Sequence, residues 1–295
     1  MKREPIFKGA CTALITPTNE NGVDYEAFKR LIDFQINSGI NALAFASTTG
    51  EKSTFNDDEH KAILEFAVSY VAGRVPVIAG TGSNDTNYSV QMTRHACELG
   101  VDAVLCVTPY YNKCTQGGLV ASFNKIADAA TKPVILYNVP SRTGVAIQPE
   151  TYAKLGEHEN IVAIKEANGD ISKIVETFAL AGDKLDVYSG NDDQIVPILS
   201  MGGLGVISVV SNPMPAETAL MCKKFFDGDV AGAAKMQKDL LPFINALFSE
   251  VNPIPVKAAM NAMGYCENYL RLPLTPMEDV HKKVLLDIMR GLSLI

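Results

Sequence analysis

Asn160-Ile161-Val162-Ala163-Ile164-Lys165-Glu166-Ala167 runs four apolar, mostly β-branched residues straight into a lysine. A short run with no polar alternation predicts a strand buried on both faces, as in a parallel sheet covered by helices. Lysine is almost never left deep in an apolar setting unless it is paired or put to use. A partly desolvated amine loses charge and becomes a nucleophile. The plain alternative is a strand-end lysine whose stem is buried and whose head reaches water. The sequence on either side decides between these two readings.

Runs of the same kind recur on both sides of it. Upstream they lie at 134–137, 103–107, 75–79, 42–46 and 11–16, and downstream at 185–189 and 205–210. Amphipathic segments stand between them. One spans 24–37 with Phe28, Leu31, Ile32 and Ile36 at helical spacing, and one starts near Asn56 with Glu59 three residues on, as in a capping box. Others cover 86–99, closed by Gly100, and about 118–130, and Pro149 suits the first position of the next. This alternation predicts an α/β fold with a parallel sheet and crossover helices. Eight such units fit a closed (β/α)8 TIM barrel. A doubly wound open sheet is the alternative, but no G-x-G-x-x-G turn follows the first strand. Past about Pro215 the strands stop, and helical patterns continue at 216–226, 230–248, 255–263 and 276–292. One of these completes the eighth unit and the others form a C-terminal helical appendage. The expected division is a catalytic barrel over 1–225 and a helical region over 226–295 packed on it, with no low-complexity linker between them.

Composition is that of a soluble globular protein: 295 residues, 47% apolar and 20% charged. The net charge of −7 argues against nucleic acid and anionic membrane partners. No apolar run approaches the roughly 20 residues that span a bilayer. Met1-Lys2-Arg3-Glu4-Pro5 has charge but no apolar stretch behind it, so no signal peptide is read and a cytoplasmic protein is expected. The cysteines at 11, 97, 106, 114, 222 and 266 form no C-x-x-C pair, and the histidines at 60, 95, 158 and 281 are dispersed. No metal site is expected from them.

In a (β/α)8 barrel, chemistry sits where strands end and the following loops begin. That rule gathers Ser47-Thr48-Thr49-Gly50-Glu51, Tyr110-Tyr111, Tyr137, Arg142, Lys165 and Ile207 at one rim. Each has a bland reading: a loop start, a packing tyrosine, a solvated arginine. Their chemistry is nevertheless coherent. A neutral lysine amine attacks a carbonyl and forms an imine, whose protonated form is an electron sink that acidifies the neighbouring C–H. Tyr137 and a threonine hydroxyl can relay the protons. Successive backbone N–H groups at Thr48, Thr49 and Gly50 can hold a small carboxylate, and Arg142 can bind a second one bidentately. The reading is an aldol-type lyase acting on a 2-oxo acid, with no metal or organic cofactor.

These residues resemble the dihydrodipicolinate synthase and N-acetylneuraminate lyase family of class I aldolases, and within it the synthase branch. The resemblance runs from Gly9-Ala10-Cys11-Thr12-Ala13-Leu14-Ile15-Thr16-Pro17 to Asn252-Pro253-Ile254-Pro255-Val256-Lys257. It is most specific at Thr48-Thr49-Gly50-Glu51, at Pro109-Tyr110-Tyr111-Asn112-Lys113 and at Tyr137-Asn138-Val139-Pro140-Ser141-Arg142-Thr143-Gly144. It implies Schiff-base condensation of pyruvate with L-aspartate 4-semialdehyde, the first committed step toward diaminopimelate and lysine. By resemblance, Lys165 forms the Schiff base, and Tyr137, Thr48 and Tyr111 form the proton relay, with Tyr111 reaching into a neighbouring subunit's site. Arg142 takes the semialdehyde carboxylate. Thr49 and its backbone hold the pyruvate carboxylate, with the Ile207 main chain beside it and Gly190 also at the substrate site. A homotetramer, a dimer of tight dimers, is implied.

There are departures from the family pattern. Ser47 stands where glycine is usual, Cys114 where proline is, and Gly117 where glutamate is. In the region that binds feedback lysine in sensitive members, His60, Asn84 and Tyr110 match. Lys52 replaces a small residue there, Asp57 a histidine, and Tyr88 an acidic residue. A lost carboxylate and an added like charge predict weak or absent inhibition by lysine. Two other functions stand beside the leading one. An aldolase for sugar acids is disfavoured by Arg142 and the tyrosine pair, and a non-catalytic metabolite sensor by the intact set Thr48, Tyr111, Tyr137, Arg142 and Lys165.

Overall fold

The computed structural model describes residues 4–295. Eight strands form a closed parallel barrel: β1 (Gly9–Ala13), β2 (Ala42–Phe45), β3 (Val77–Gly80), β4 (Ala103–Val107), β5 (Val134–Asn138), β6 (Ile161–Glu166), β7 (Asp186–Ser189) and β8 (Gly205–Ser208). Each pairs with its neighbours in sequence, and β8 closes on β1 with Cys11 opposite Ile207. The predicted TIM barrel is the observed fold, and the open sheet is excluded by that closure. A small hairpin of Thr18–Asn19 and Gly22–Val23 follows β1.

The first four crossover helices are α1 (Tyr25–Asn37), α2 (Asp57–Val71), α3 (Thr86–Leu99) and α4 (Gln116–Asp128). The next three are α5 (Pro149–Leu155), α6 (Ile171–Ala181) and α7 (Ile195–Ser200). Their starts follow from capping chemistry. Asp24 accepts from the Ala27 N–H at 2.9 Å ahead of α1, and Asn56 and Glu59 close the predicted capping box ahead of α2. Helix α4 begins earlier than the pattern suggested, because Thr115 caps it by accepting from Gly118 N at 3.1 Å. Its first turn is Gln116-Gly117-Gly118, which carries no apolar periodicity to read.

The first and last strands end well short of their apolar runs. β1 ends at Ala13 because Ile15 leaves the ladder and donates its N–H to Asn212 Oδ1 at 3.0 Å. β8 ends at Ser208 because the next two N–H groups, of Val209 and Val210, donate to Asp192 Oδ2 at 3.0 and 2.8 Å.

The core has two layers. Inside the barrel, small side chains such as Ala13, Ala44, Ala103 and Ala163 pack with Ile78, Ile135 and Ile207. Phe7 closes the end where the strands begin; its ring stacks on Tyr188 at 4.2 Å and its carbonyl accepts from the Tyr188 hydroxyl at 2.7 Å. The opposite end is left for the strand-end loops. A larger layer fills the space between barrel and helices, with Phe28, Phe45, Phe123 and Tyr152 fully buried.

Beyond β8, helix α8 (Pro215–Phe226) packs against β1 and completes the eighth unit. Helices α9 (Val230–Leu247), α10 (Ile254–Ala262) and α11 (Asp279–Gly291) form the appendage, α9 on α8 and α11 on α9 and α10. Among the described residues, no helix is long and apolar enough to cross a membrane.

Candidate active site

Strands β5 and β6 place Tyr137 directly beside Lys165 and Asn138 beside Glu166. Alternation along a strand sends Tyr137 and Lys165 into the barrel and their successors outward. Lys165 is 4% exposed, and its Nζ lies 4.3 Å from the centre of the Tyr137 ring. Among the described residues no carboxylate pairs with it; its close partner is the ring face.

Behind this pair stands a network that the sequence reading missed. Glu166 is fully buried, and its carboxylate accepts from Asn138 Nδ2 (3.0 and 3.2 Å), the Tyr152 hydroxyl (2.8 Å) and Asn168 N (2.9 Å). Burial pushes this carboxyl up to about 7 against the pull of those donors. Asn138 Oδ1 in turn accepts from Ile147 N at 3.0 Å. The cross-strand bond between Asn138 and Glu166 fixes the register that sets Tyr137 against Lys165. The available signal was positional: a polar residue follows each predicted site residue on its strand.

Gly190, just after β7, leaves room for the lysine. A Cβ there would come within 2.8 Å of Ala167 Cβ and 3.2 Å of Lys165 Cγ. Ile207 on β8 is fully buried in the inner layer.

A cavity of about 220 Å³ opens at this end, lined by Ser47, Thr48, Lys52, Tyr110, Tyr137 and Arg142 among others. The chain leaves β2 through Ala46 at φ +50°, so the left-handed residue is Ala46 and not the Ser47 that replaces the usual glycine. Ser47 Oγ is buried with no protein partner. Among the described residues, none accepts a bond from the N–H groups of Thr48, Thr49 or Gly50. Three free donors in succession are a ready cradle for an anion. Thr49 is 2% exposed and lies behind the cavity wall, its hydroxyl oxygen accepting from Asn252 Nδ2 at 3.1 Å.

Arg142 sits on a short helical turn, Pro140–Thr143, rather than in a free loop, and donates one N–H to the Asn252 carbonyl at 3.1 Å. The turn Thr48-Thr49-Gly50-Glu51 is anchored from below. Glu51 forms a wholly buried ion pair with Lys257 at 2.5 Å, and Lys257 also donates to the Thr18 hydroxyl at 2.7 Å. Desolvation lowers the pKa of Lys257, against the pull of Glu51.

The structure thus brings Tyr137, Lys165 and Gly190 together, and groups Thr48 and Arg142 with Tyr137 around one cavity. It does not bring in Tyr111, which is 91% exposed. Tyr111 has φ +70° and is spanned by a bond from Asn112 N to Tyr110 O at 2.9 Å, a strained γ-turn that presents the ring outward.

In the region expected to bind lysine, Lys52 donates to the Gly82 carbonyl at 2.8 Å and lies 5.1 Å from the Tyr88 ring. Burial lowers it to about 8. His60, lowered to about 4 chiefly by burial, bonds the Tyr88 hydroxyl and the Gly80 carbonyl. Away from the cavity, Glu250, Glu278 and His281 converge within 4.8 Å. Glu250 Oε1 there meets Glu278 N at 3.0 Å and His281 Nδ1 at 2.8 Å, which orders the start of α11.

Comparison with known proteins agrees with this geometry. A curated 4-hydroxy-tetrahydrodipicolinate synthase of Alkaliphilus oremlandii is 52% identical over 290 residues, covering 98% of this chain and 100% of that one. The crystal structure of the dihydrodipicolinate synthase from Thermotoga maritima superposes with a TM-score of 0.97 at 41% identity, covering 99% and 100% of the two chains. The chloride-inhibited dihydrodipicolinate synthase from Acinetobacter baumannii, solved in complex with pyruvate, superposes with a TM-score of 0.95 at 37% identity, covering 98% and 99%. Residues 6–291 match the Dihydrodipicolinate synthetase family, and the chain belongs to it.

Proposed function

We propose that this chain catalyses the 4-hydroxy-tetrahydrodipicolinate synthase reaction, a metal-independent lyase-type aldol condensation of pyruvate with L-aspartate 4-semialdehyde on the way to diaminopimelate and lysine. The observation that carries it is Lys165: a buried amine that forms no ion pair among the described residues, set against the Tyr137 ring at the open end of the barrel. Its Nζ attacks C2 of pyruvate, water leaves, and a protonated imine forms. That imine withdraws electrons from the adjacent methyl carbon, so loss of a proton gives an enamine with no metal or organic cofactor. The enamine carbon attacks the aldehyde carbon of the semialdehyde, and the aldehyde oxygen takes up a proton. The nitrogen ring of the product requires the semialdehyde's own amine to displace Nζ from the imine carbon.

Tyr137 and Thr48, both on the cavity wall, relay these protons with Tyr111. The free N–H groups of Thr48, Thr49 and Gly50 hold the pyruvate carboxylate, with Gly190 and the Ile207 main chain beside it. Arg142 takes the semialdehyde carboxylate with the part of its fork that Asn252 leaves free. The outward-facing Tyr111 supports a site completed by a second copy, within a homotetramer built from tight dimers. A cytoplasmic location fits such a biosynthetic step.

The test is to add pyruvate and borohydride and locate the adduct by mass spectrometry. An adduct on Lys165 is expected; none, or one elsewhere, defeats the reading. A coupled assay comparing aspartate semialdehyde with sugar aldehydes then separates this activity from a sugar-acid aldolase.

A further inference from the structure

The C-terminal appendage meets the strand-end turn at Lys257, through Glu51, and also at Asn252. Asn252 lies on the link between α9 and α10, outside the barrel in sequence, yet it is 5% exposed and touches two strand-end elements. Its Nδ2 donates to Thr49 Oγ1 at 3.1 Å, and its backbone carbonyl accepts from Arg142 at 3.1 Å. Its Oδ1 is buried and has no protein partner, so the Thr49 contact alone orients the amide.

The direction of that bond matters. A hydroxyl has one hydrogen to give and lone pairs to receive with. With its oxygen already receiving from Asn252, Thr49 keeps its hydrogen for another acceptor. The unengaged N–H groups of Thr48, Thr49 and Gly50 belong to the same turn.

We propose that Asn252 is a positioning residue for both substrates: its side-chain amide aims the Thr49 hydroxyl at the pyruvate carboxylate, and its main-chain carbonyl fixes Arg142 for the second carboxylate. This rests on the function proposed above. The two contacts come from different parts of one residue, so they separate by mutation. Replacing the side chain removes the Thr49 contact and leaves the carbonyl that holds Arg142.

The experiment measures KM for each substrate in wild type, Asn252→Ala and Asn252→Asp, with thermal unfolding of each and the borohydride adduct at Lys165. Asn252→Ala raises the pyruvate KM about five- to tenfold and leaves the semialdehyde KM within about twofold. Asn252→Asp, although nearly isosteric, loses more. A carboxylate draws the Thr49 hydrogen toward itself and sets a negative charge beside the substrate's own. A merely structural role would instead lower the thermal stability of either variant without separating the pyruvate KM from the semialdehyde KM. In a Thr49→Ala background, Asn252→Ala has no further effect on the pyruvate KM, because the contact is already gone.

An unchanged pyruvate KM in folded Asn252→Ala overturns the assignment. So does an Asp variant milder than the Ala variant, or an equal effect in both backgrounds. Lack of any wild-type adduct would instead overturn the reading of Lys165, and this assignment with it.

Discussion

Two lysines are buried at the same end of the barrel, in opposite surroundings. Lys257 is wholly enclosed, held 2.5 Å from Glu51 and bonded to the Thr18 hydroxyl. Lys165 is nearly as buried, yet among the described residues it forms no ion pair, and its Nζ lies over the face of the Tyr137 ring. A buried ammonium with a buried carboxylate is a strut: its charge is matched and its geometry fixed, so it has nothing left to offer a ligand. A buried amine with no carboxylate keeps its lone pair accessible once a proton leaves, and it tolerates a covalent partner without breaking an ion pair. The difference lies in what the neighbouring segments supply, Glu51 to one lysine and an aromatic ring to the other.

The largest effect separates the two chemically. Lys165→Ala lowers turnover by roughly 10⁴-fold or more and abolishes the pyruvate–borohydride adduct, while the protein stays folded, since no ion pair among the described residues is broken. Activity within tenfold of wild type would dissolve the contrast. Lys257→Met does the reverse. It leaves Glu51 buried and unpaired, which costs about 3–5 kcal/mol in urea unfolding, whereas the double variant Lys257→Met/Glu51→Leu recovers most of that loss. Below its melting point, Lys257→Met still forms the adduct on Lys165. A stable Lys257→Met protein that no longer traps pyruvate would show that the strut also takes part in the chemistry.

A smaller effect tests what holds Lys165 in place. Glu166 has its carboxyl raised to about 7 by burial, above its ordinary value. The folded state therefore holds the proton more tightly than the unfolded chain. This stabilisation is fully present below the unfolded value near 4.5 and is lost as pH rises through about 7. In Glu166→Gln the charge cannot form. The stability of wild type relative to this variant should fall by about 2–3 kcal/mol from pH 4.5 to above 7, measured by urea unfolding across that range. A pH-independent difference would mean that Glu166 stays ionised throughout and acts only through its hydrogen bonds.

The contrast also marks how far the sequence could be read. The eight apolar runs gave the barrel, because period and punctuation are local properties, and Lys165 stood out because its run was otherwise apolar. Tyr137, Thr48 and Arg142 followed from the rule about strand ends. Lys257 was visible only as the last letter of a motif, since nothing local says that Glu51 lies opposite it. Asn252 was hidden for the same reason: its partners are Thr49 and Arg142, far away in the chain and brought near only by closure of the barrel. The Asn138–Glu166 bond was unread because those positions face outward on strands whose interior faces drew the attention. Ends of strands were misplaced where a distant side chain, Asn212 or Asp192, takes over the backbone donors.

Lys52 is the case that sharpens the comparison most finely, because the expected effect is none. It is a third partly buried lysine, lowered to about 8 by burial, so a low pKa alone would make it an imine former. Its Nζ is committed to the Gly82 carbonyl and lies over the Tyr88 ring. In Lys165→Ala, pyruvate and borohydride should therefore leave Lys52 unlabelled; labelling there would show that burial, and not the place on the barrel rim, selects the nucleophile. The same ammonium bears on inhibition. The groups around it are His60, Asp57, Tyr88, Tyr110 and Cys106. Of these only Asp57 is a carboxylate, while the Lys52 ammonium repels a second cation. Lysine should inhibit weakly or not at all at pH 7. Any inhibition should grow above about pH 8, where Lys52 becomes neutral and the repulsion goes. Half-inhibition at sub-millimolar lysine and neutral pH would mean that the effector displaces Lys52 from Gly82, leaving Lys52 a movable group rather than a fixed one.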